Sequence, residues 1–501
     1  MSRAEDDPGR SRSPTTPRPS STACRIGGTH LLAESRVRTK MPRDTFTRRG
    51  YLAAVVGGVI AGCGGRADEG TATETGTTTS PPPTTTRATA SAGVAAAAPT
   101  DGDDSLEGSF ERGPGSCALT ASSVADGTWP MPHHDPAGTN AAPAANGPTG
   151  FPLNERWTMS ALEAQVTFPV ADEDFVYLVA ADADADPSVP MAAVLCHDPR
   201  RNGEIQWRRR VDAMPIGPPV AAGNTVYVPF GSPEDVRVQA IDRADGSLRT
   251  VYDLPGRFVD GLATAGTSLV MPSEESYRVV DARTGEHCWS FAPNRGRGSD
   301  RRDRKIRAAA VGDGVAYVGT GYPDGEPTTG IGHLYAVDPA SPGVRWHVAM
   351  DGPVGRIAVA DDVVVATTGA GVAGFDAATG TRRWAVSAES SVRPPTLAVG
   401  AGVAVYGTRR TLHGLDLSTG DERWTVPFGV RGDVIFVGDV LYAVGRSDPT
   451  SERILLAAVD VTSGRQRWQQ EIYDPIVDVM AANGYLYAIT TDGRLFAFTS
   501  V

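Results

Sequence analysis

Lysine is almost missing from this 501-residue chain: Lys40 and Lys305 are the only two, and the remaining positive charge is arginine. Basic residues number 47 against 59 acidic ones. The segment before Cys63 holds 5 acidic and 11 basic residues, so the chain from Cys63 onward has 54 acidic against 36 basic, a net charge of about −18. A surface of that sign repels nucleic acid and anionic headgroups, which excludes both as direct partners. Acid-rich, lysine-poor surfaces suit work in high salt, and a halophilic archaeal source is expected. Cysteine is also scarce. Cys24, Cys63, Cys117, Cys196 and Cys288 include no CxxC pair, no adjacent pair and no metal-type spacing. Once Cys63 is otherwise engaged, Cys117, Cys196 and Cys288 allow one disulfide at most, and Cys196 and Cys288 read as small buried hydrophobes. There is no G-x-S-x-G, no H-E-x-x-H and no phosphate loop. No sustained helical period appears after Phe151.

Long apolar runs are lacking as well. Leu52 to Gly62 is a Gly/Ala-diluted stretch of eleven residues, about 16 Å as a helix and roughly half a bilayer core, so it does not span a membrane. Its flanks explain it. Arg48 and Arg49 stand before the run in "TRRGYL", and "IAGC" ends it at Cys63. The pair resembles a twin-arginine export signal followed by a lipobox, in which the cysteine thiol receives a lipid and becomes the new N-terminus. Residues 1–40 read as an overlong start or extension, 41–62 as the signal peptide, and 63–127 as a Thr/Pro/Ala/Gly-rich tether too polar to fold. Residues 128–154 form a lead-in, "WPMPHHDPAGTN" at its centre. The expected location is the outer face of the cytoplasmic membrane, with the lipid on Cys63 as the only membrane contact.

What is abundant is repetition. Runs such as "TVYVPF" (225–230), "VAYVGT" (315–320), "VAVYGT" (403–408) and "YLYAIT" (485–490) recur after Gly/Asp/Asn turns at about 40-residue intervals. Each unit ends in a box such as "DAATGTRRW". Its Asp opens a turn through backbone hydrogen bonds and its Gly supplies the positive φ that closes it. The turn pairs are Asp281 with Gly285, Asp376 with Gly380, Asp416 with Gly420, and Asp460 with Gly464. The tryptophans are Trp157, Trp207, Trp289, Trp346, Trp384, Trp424 and Trp468; after Asp242 none follows, so Val251 or Tyr252 must substitute. Trp157 has no strands of its own unit before it, and the last unit has no Trp strand after it. Each end supplies what the other lacks. The fold class expected over 155–501 is therefore all-β: a monomeric, eight-bladed β-propeller of four-stranded antiparallel blades, closed by an N-terminal strand that completes the last blade.

The form A/G-x-D-x-x-T-G-x-x-x-W, matched by Asp376…Gly380…Trp384 and Asp416…Gly420…Trp424, resembles the tryptophan-docking repeat of pyrroloquinoline-quinone (PQQ)-type propellers. The resemblance implies that the tryptophans dock between blades. In the enzymatic branch it also implies a quinone with calcium in the central channel, an aspartate base and often a disulfide between adjacent cysteines. Here there is no such cysteine pair, and the blades are lean. The expectation is thus the non-enzymatic branch: a protein-binding or scaffolding module, similar to the lipoprotein scaffold of the outer-membrane β-barrel assembly machinery, with no catalytic residue, cofactor or metal and with an unidentified protein partner. The alternative is a PQQ- and calcium-dependent alcohol or sugar dehydrogenase.

Three clusters stand outside the repeat. Arg295, Arg297, Arg301, Arg302, Arg304, Lys305 and Arg307 crowd one loop at 294–307 and form either a docking patch for an acidic partner or an internally paired loop. Asp182, Asp184 and Asp186 lack the Gly-kinked spacing of a calcium loop. His133 and His134 sit in the lead-in, where a structural role is expected.

Overall fold

Val, Ala and Tyr alternate along the repeated runs, a composition that fits pleated strands packed on both faces, and each of these runs is a strand. The computed structural model describes residues 108–500 except 116, 121–123, 161–165, 182–191, 233–234, 255–260, 294–304, 322–331, 341–342, 389–395, 449–450, 452 and 473–475. Eight sheets form eight blades, antiparallel throughout except where Ala141–Ala142 adds a short parallel strand to the inner edge of blade 7. Their first strands are Val170–Ala171, Val220–Ala222, Ala263–Ala265, Lys305–Gly312, Val354–Ala360, Leu397–Gly400, Gly429–Val437 and Ile476–Ala482, for blades 1 to 8. First strands adjoin from blade to blade and so line the axis. The ring closes where Leu153–Ser160 pairs with Arg494–Ser500, making the strand of Trp157 the outermost of blade 8. Apolar cores are shared across seams, as where Trp424 meets Phe428, Val430 and Val461. Among the described residues no helix is long and apolar enough to cross a membrane.

The Asp…Gly…Trp box lies at these seams. In blade 6 Asp416 Oδ1 accepts the backbone N–H groups of Ser418 and Thr419 at 2.9 and 3.0 Å. Gly420 turns at φ +74°, and a Cβ there would come within 2.6 Å of the Trp384 indole of blade 5. Trp384 Nε1 in turn donates to Leu417 O at 2.8 Å. Trp207, Trp346 and Trp424 make the same bond to Arg243, Ala377 and Val461, each the residue after the box Asp of the next blade. In blade 2, Tyr252 does so through its hydroxyl, to Ala282 O at 3.1 Å, while Val251 is exposed. Trp157, Trp289 and Trp468 leave Nε1 without a hydrogen bond. The turns ahead of them are the irregular ones: the 3-10 turn Pro199–Arg201, the proline-bearing turn after Asp338, and the ring closure, where Phe151 stacks on Trp468 at 5.2 Å.

A further feature of five of the boxes is an arginine seven residues after the aspartate. Arg345, Arg383, Arg423 and Arg467 pair with Asp338, Asp376, Asp416 and Asp460 at 2.7–2.8 Å, and Arg249 with Asp242 at 2.5 Å. The Arg383 and Thr379 hydrogen bonds hold the Asp376 carboxyl down at about 2. In blade 3 that position is Cys288, bonded to Cys117 with the Cα atoms 5.7 Å apart. This corrects the reading of Cys288 as a small buried hydrophobe; Cys196 is the free, buried one. The reason is an arm, Ser109–Arg112, that adds a fifth strand to the outer edge of blade 3 and brings Cys117 to Cys288. Phe110 of the arm stacks on Trp289, and Arg112 Nη2 donates to Pro339 O, the carbonyl that the regular pattern would give to an indole.

Candidate functional site in the axial channel

The lead-in lies across one end of the channel and bonds to the blades in turn. Trp129 exchanges two backbone hydrogen bonds of 2.8 Å with Ala171 of blade 1, and Ala221 N of blade 2 donates to Pro130 O. Pro132 lies beside Gly261, ahead of blade 3. Val311, Val359 and Val399 of blades 4, 5 and 6 donate to Pro136, Ala137 and Thr139. Phe436 and Gly438 of blade 7 donate to Asn140 and Ala142. Asn146 closes the circle at blade 8. Its Oδ1 accepts Gly127 N–H at 2.8 Å, and its Nδ2 donates to Thr128 O at 2.5 Å and to Ala481 O at 3.2 Å. Residues 127–146 are therefore a plug with a buried buckle, and a buried amide with all its bonds made fixes one geometry. His133 and His134 take φ of +65° and +75°, which costs about 1 kcal/mol or more each for residues with a Cβ. His134 packs edge-on against Trp129, while His133 brings Nδ1 to 3.5 Å from Asp433 Oδ2. A cavity of ≈ 30 Å³ between the plug and blades 3 and 4 is lined by His133, Asp135 and Tyr277 among others, room for a water but not for an organic cofactor.

Beyond the plug, innermost strands carry charge. The ladders slip between Val354 and Arg356 in blade 5, Val430 and Val434 in blade 7, and Ile476 and Asp478 in blade 8. Such bulges re-aim side chains, and the side chains at these slips are Arg356, Asp433 and Asp478. Gly432 lets blades 7 and 8 close: a Cβ there would meet Val477 O at 2.3 Å. Arg356 Nη1 donates to Asp433 Oδ2 at 3.2 Å. Only 6% of Arg356 is exposed, and its Nη2 has no hydrogen-bond partner. Asp478 Oδ1 accepts Val479 N–H at 2.8 Å. Burial raises both carboxyls. For Asp433 the Arg356 charge and the His133 contact outweigh it and hold the group low. Asp478, half-buried on its strand, is pushed well above the usual carboxylate range, first by desolvation and then by the Asp433 charge. The channel thus sets an arginine with a spare donor beside one carboxylate and one carboxyl that keeps its proton to higher pH. Chemically this can hold an anion and exchange a proton.

Sequence reasoning singles out none of Arg356, Asp433 and Asp478, and it assigns His133 a structural role. A signal is present nonetheless: in "GRIAVADD", "GDVIFVGD" and "VDVMAANG" a charged residue interrupts the first strand of a unit just before an apolar run. Elsewhere, Lys305 and Arg307 belong to the strand Lys305–Gly312 rather than to the arginine-rich loop, and Lys305 Nζ pairs with Glu274 at 2.6 Å. Arg295, Arg297, Arg301, Arg302 and Arg304, together with Asp182, Asp184, Asp186, Arg48, Arg49 and Cys63, lie outside the described residues.

With this geometry in view, a family model described as outer membrane protein assembly factor BamB matches residues 190–326 and 273–500. No curated protein matches the chain in sequence. Among solved structures it is similar to BamB from Moraxella catarrhalis, with TM-score 0.50 and 17% identity over 70% of this chain and 98% of that one. A europium-containing methanol dehydrogenase gives 0.58 and 12% over 74% and 98%. Quinohemoprotein alcohol dehydrogenase from Comamonas testosteroni gives 0.53 and 13% over 75% and 81%. At these identities the likeness is one of fold. It nevertheless corrects the expectation of a non-enzymatic chain without cofactor, since structures named as dehydrogenases superpose as well as BamB or better. Lean blades and a missing cysteine pair do not separate the branches, because a channel site needs only a few inward side chains, which blade length does not report.

Proposed function

We infer function from one premise: this chain belongs to the PQQ-type propeller family described as outer membrane protein assembly factor BamB. We propose that it is an extracytoplasmic oxidoreductase that holds a carboxylate-bearing quinone in its axial channel. The observation that carries this reading is the cluster of buried Arg356 with half-buried Asp433 and Asp478. A quinone, when bound, supplies two-electron oxidation of an alcohol. The chain's own part is to hold the anion through Arg356, to fix that guanidinium through Asp433, and to hold or release a proton at the Asp478 carboxyl. These residues fit a quinone bearing carboxylates. Calcium is a different matter: among the described residues no group of three or more His, Cys, Asp or Glu is arranged for a metal ion, and no residue is assigned to it. Reconstitution with pyrroloquinoline quinone, with and without calcium, should give saturable binding and dye-linked oxidation of alcohols or aldoses. Binding without turnover of any of them would overturn the oxidoreductase reading.

A second role, docking of a protein, is favoured by Ile205, Leu248 and Val251, large apolar residues exposed on the outer strands of adjoining blades 1 and 2. Replacing Ile205 and Val251 with Asp should abolish co-purification of a specific partner; unchanged co-purification counts against this surface. For location, we propose export directed by Arg48 and Arg49 and anchoring on the outer face of the cytoplasmic membrane through a lipid on Cys63. The Cys117–Cys288 disulfide supports an oxidising compartment. Cys63→Ser should move the protein to the soluble fraction, and retention in the membrane would contradict the anchor.

A further inference from the structure

The outer edge of a blade accepts a further strand, and blade 3 shows how. There the arm Ser109–Arg112 runs antiparallel to the outermost strand, His287–Ala292, with Glu111 opposite Ser290 and Arg112 opposite Trp289. Gly113 N donates to Cys288 O at 2.8 Å. The hydrogen bonds therefore flank the Arg112–Trp289 pair, and the N–H and C=O of Ser290 point out toward the arm. The outermost strand of blade 2, Leu248–Leu254, keeps the same register. Thr250 stands opposite Ala240 as Trp289 stands opposite Val279, and the bulge falls at Arg249 as it does at Cys288. Val251 is thus the counterpart of Ser290, with its own N–H and C=O pointing out of the blade. Among the described residues no strand covers them. The strand has neither proline nor lysine to blunt it, and Leu248 and Val251 are 43% and 42% exposed.

This edge is complementary to itself. Set antiparallel to its own copy about Val251, "LRTVYDL" places Arg249 opposite Asp253, Thr250 opposite Tyr252 and Leu248 opposite Leu254. The Asp253 side chain is 90% exposed, with Arg237 3.7 Å away. Arg249 gives Nε and Nη2 to Asp242 and Nη1 to Thr225, which leaves two of its five N–H groups for a carboxylate across the junction. Blade 1 offers no such match, since its outermost strand about its own midpoint sets Glu204 against Val211 and Ile205 against Arg210. We infer that two copies of the chain join through the edge of blade 2, about a two-fold axis at Val251, so that two four-stranded blades become one continuous sheet. The two Val251 residues exchange backbone hydrogen bonds, and Arg249 of each chain meets Asp253 of the other. A dimer thus replaces the monomer expected from the sequence. It names the occupant of the docking surface proposed above and rests on that reading. One strand edge is a small contact beside obligate interfaces, so the dimer is reversible with concentration.

The test uses the purified full chain in detergent. Sedimentation at about 0.5 M salt, which screens the repulsion between two acidic chains, should show a monomer–dimer equilibrium whose dimer fraction rises with concentration. Val251→Asp sets two carboxylates face to face on the axis, and Asp253→Arg opposes Arg249 with like charge. Each should weaken the dimer at least tenfold, with an unfolding midpoint near wild type because both side chains are exposed. Val251→Cys should give a disulfide-linked dimer that a thiol reductant splits, since hydrogen-bonded opposite residues stand about 5.5 Å apart at Cα, within the span of a disulfide. Leu248→Cys should not, because Leu248 faces Leu254 of the other chain and not its own copy. A wild-type chain that stays monomeric at every concentration, or a dimer indifferent to Val251→Asp and Asp253→Arg, would overturn the inference. A monomeric chain that still holds a different protein through Ile205 and Val251 would overturn the dimer and leave the docking surface standing. A monomeric chain that holds nothing there would remove both.

Discussion

The rim and the axis of this propeller use charge in opposite ways. At the rim one contact is repeated: a box aspartate folds its own turn, pairs with the arginine seven residues on, and offers the next carbonyl to the indole of the blade before. At the axis every side chain is used once. Blade 5 supplies Arg356, blade 7 Asp433, blade 8 Asp478 and the plug His133. The box carboxyls are held below their usual range by hydrogen bonds, as Asp416 is by Ser418 and Arg423, whereas Asp478 is pushed above it by burial. At the rim four indoles donate to the next blade, while Trp157, Trp289 and Trp468 do not. What sets the axis apart is that its unpaired donor, Arg356 Nη2, belongs to a charged group beside a carboxylate.

That contrast can be broken experimentally. The largest effect belongs to the rim: Trp424→Ala removes a buried indole and should cost about 3–5 kcal/mol in denaturant unfolding. The next is at the plug. Asn146→Ala deletes its buckle and should cost about 2–3 kcal/mol. It should also speed hydrogen exchange at the amides of Val311, Val359, Val399 and Phe436, which the plug now protects, and leave blade-seam amides such as Gly420 unchanged.

Smaller effects separate the carboxyls by sign. A carboxyl whose folded value lies below 3.8 favours the fold above that pH and loses its contribution as pH falls through the folded value. One whose folded value lies above 3.8 disfavours the fold increasingly as pH rises toward that value. Asp416→Asn should therefore lower stability at pH 7 by roughly 0.5–1 kcal/mol, a modest figure for a screened pair, with the difference fading as pH falls below about 4. Asp478→Asn should instead raise stability at pH 7. Equal signs for the two would erase the distinction. The smallest effect is within the rim: Trp384→Phe should cost about 0.5–1 kcal/mol more than Trp289→Phe, because only the former breaks an indole hydrogen bond.

The rim is legible in the sequence because repetition prints it. Asp, Gly and Trp recur at fixed offsets, and the unmatched ends of the chain announce closure. The arginine of the box recurs as well, but its role emerges only when the turn folds back on itself. The arm and its disulfide are hidden, since Cys117 and Cys288 are 171 residues apart and meet only because a strand joins the outer edge of blade 3. The axis is hidden for a deeper reason. Arg356, Asp433 and Asp478 come from three different repeats and share no motif; the ring brings them together, and bulges in three strands aim them. The lead-in shows its motif but not its path across the blades.

If the axis binds while the rim only builds, substitutions at the two must part company in affinity. One comparison decides it: the dissociation constant of pyrroloquinoline quinone for Arg356→Met/Asp433→Asn, measured beside that for Trp384→Phe. An axial site predicts at least a tenfold weakening in the axial variant and wild-type affinity in the rim variant. The same affinity in both would contradict it.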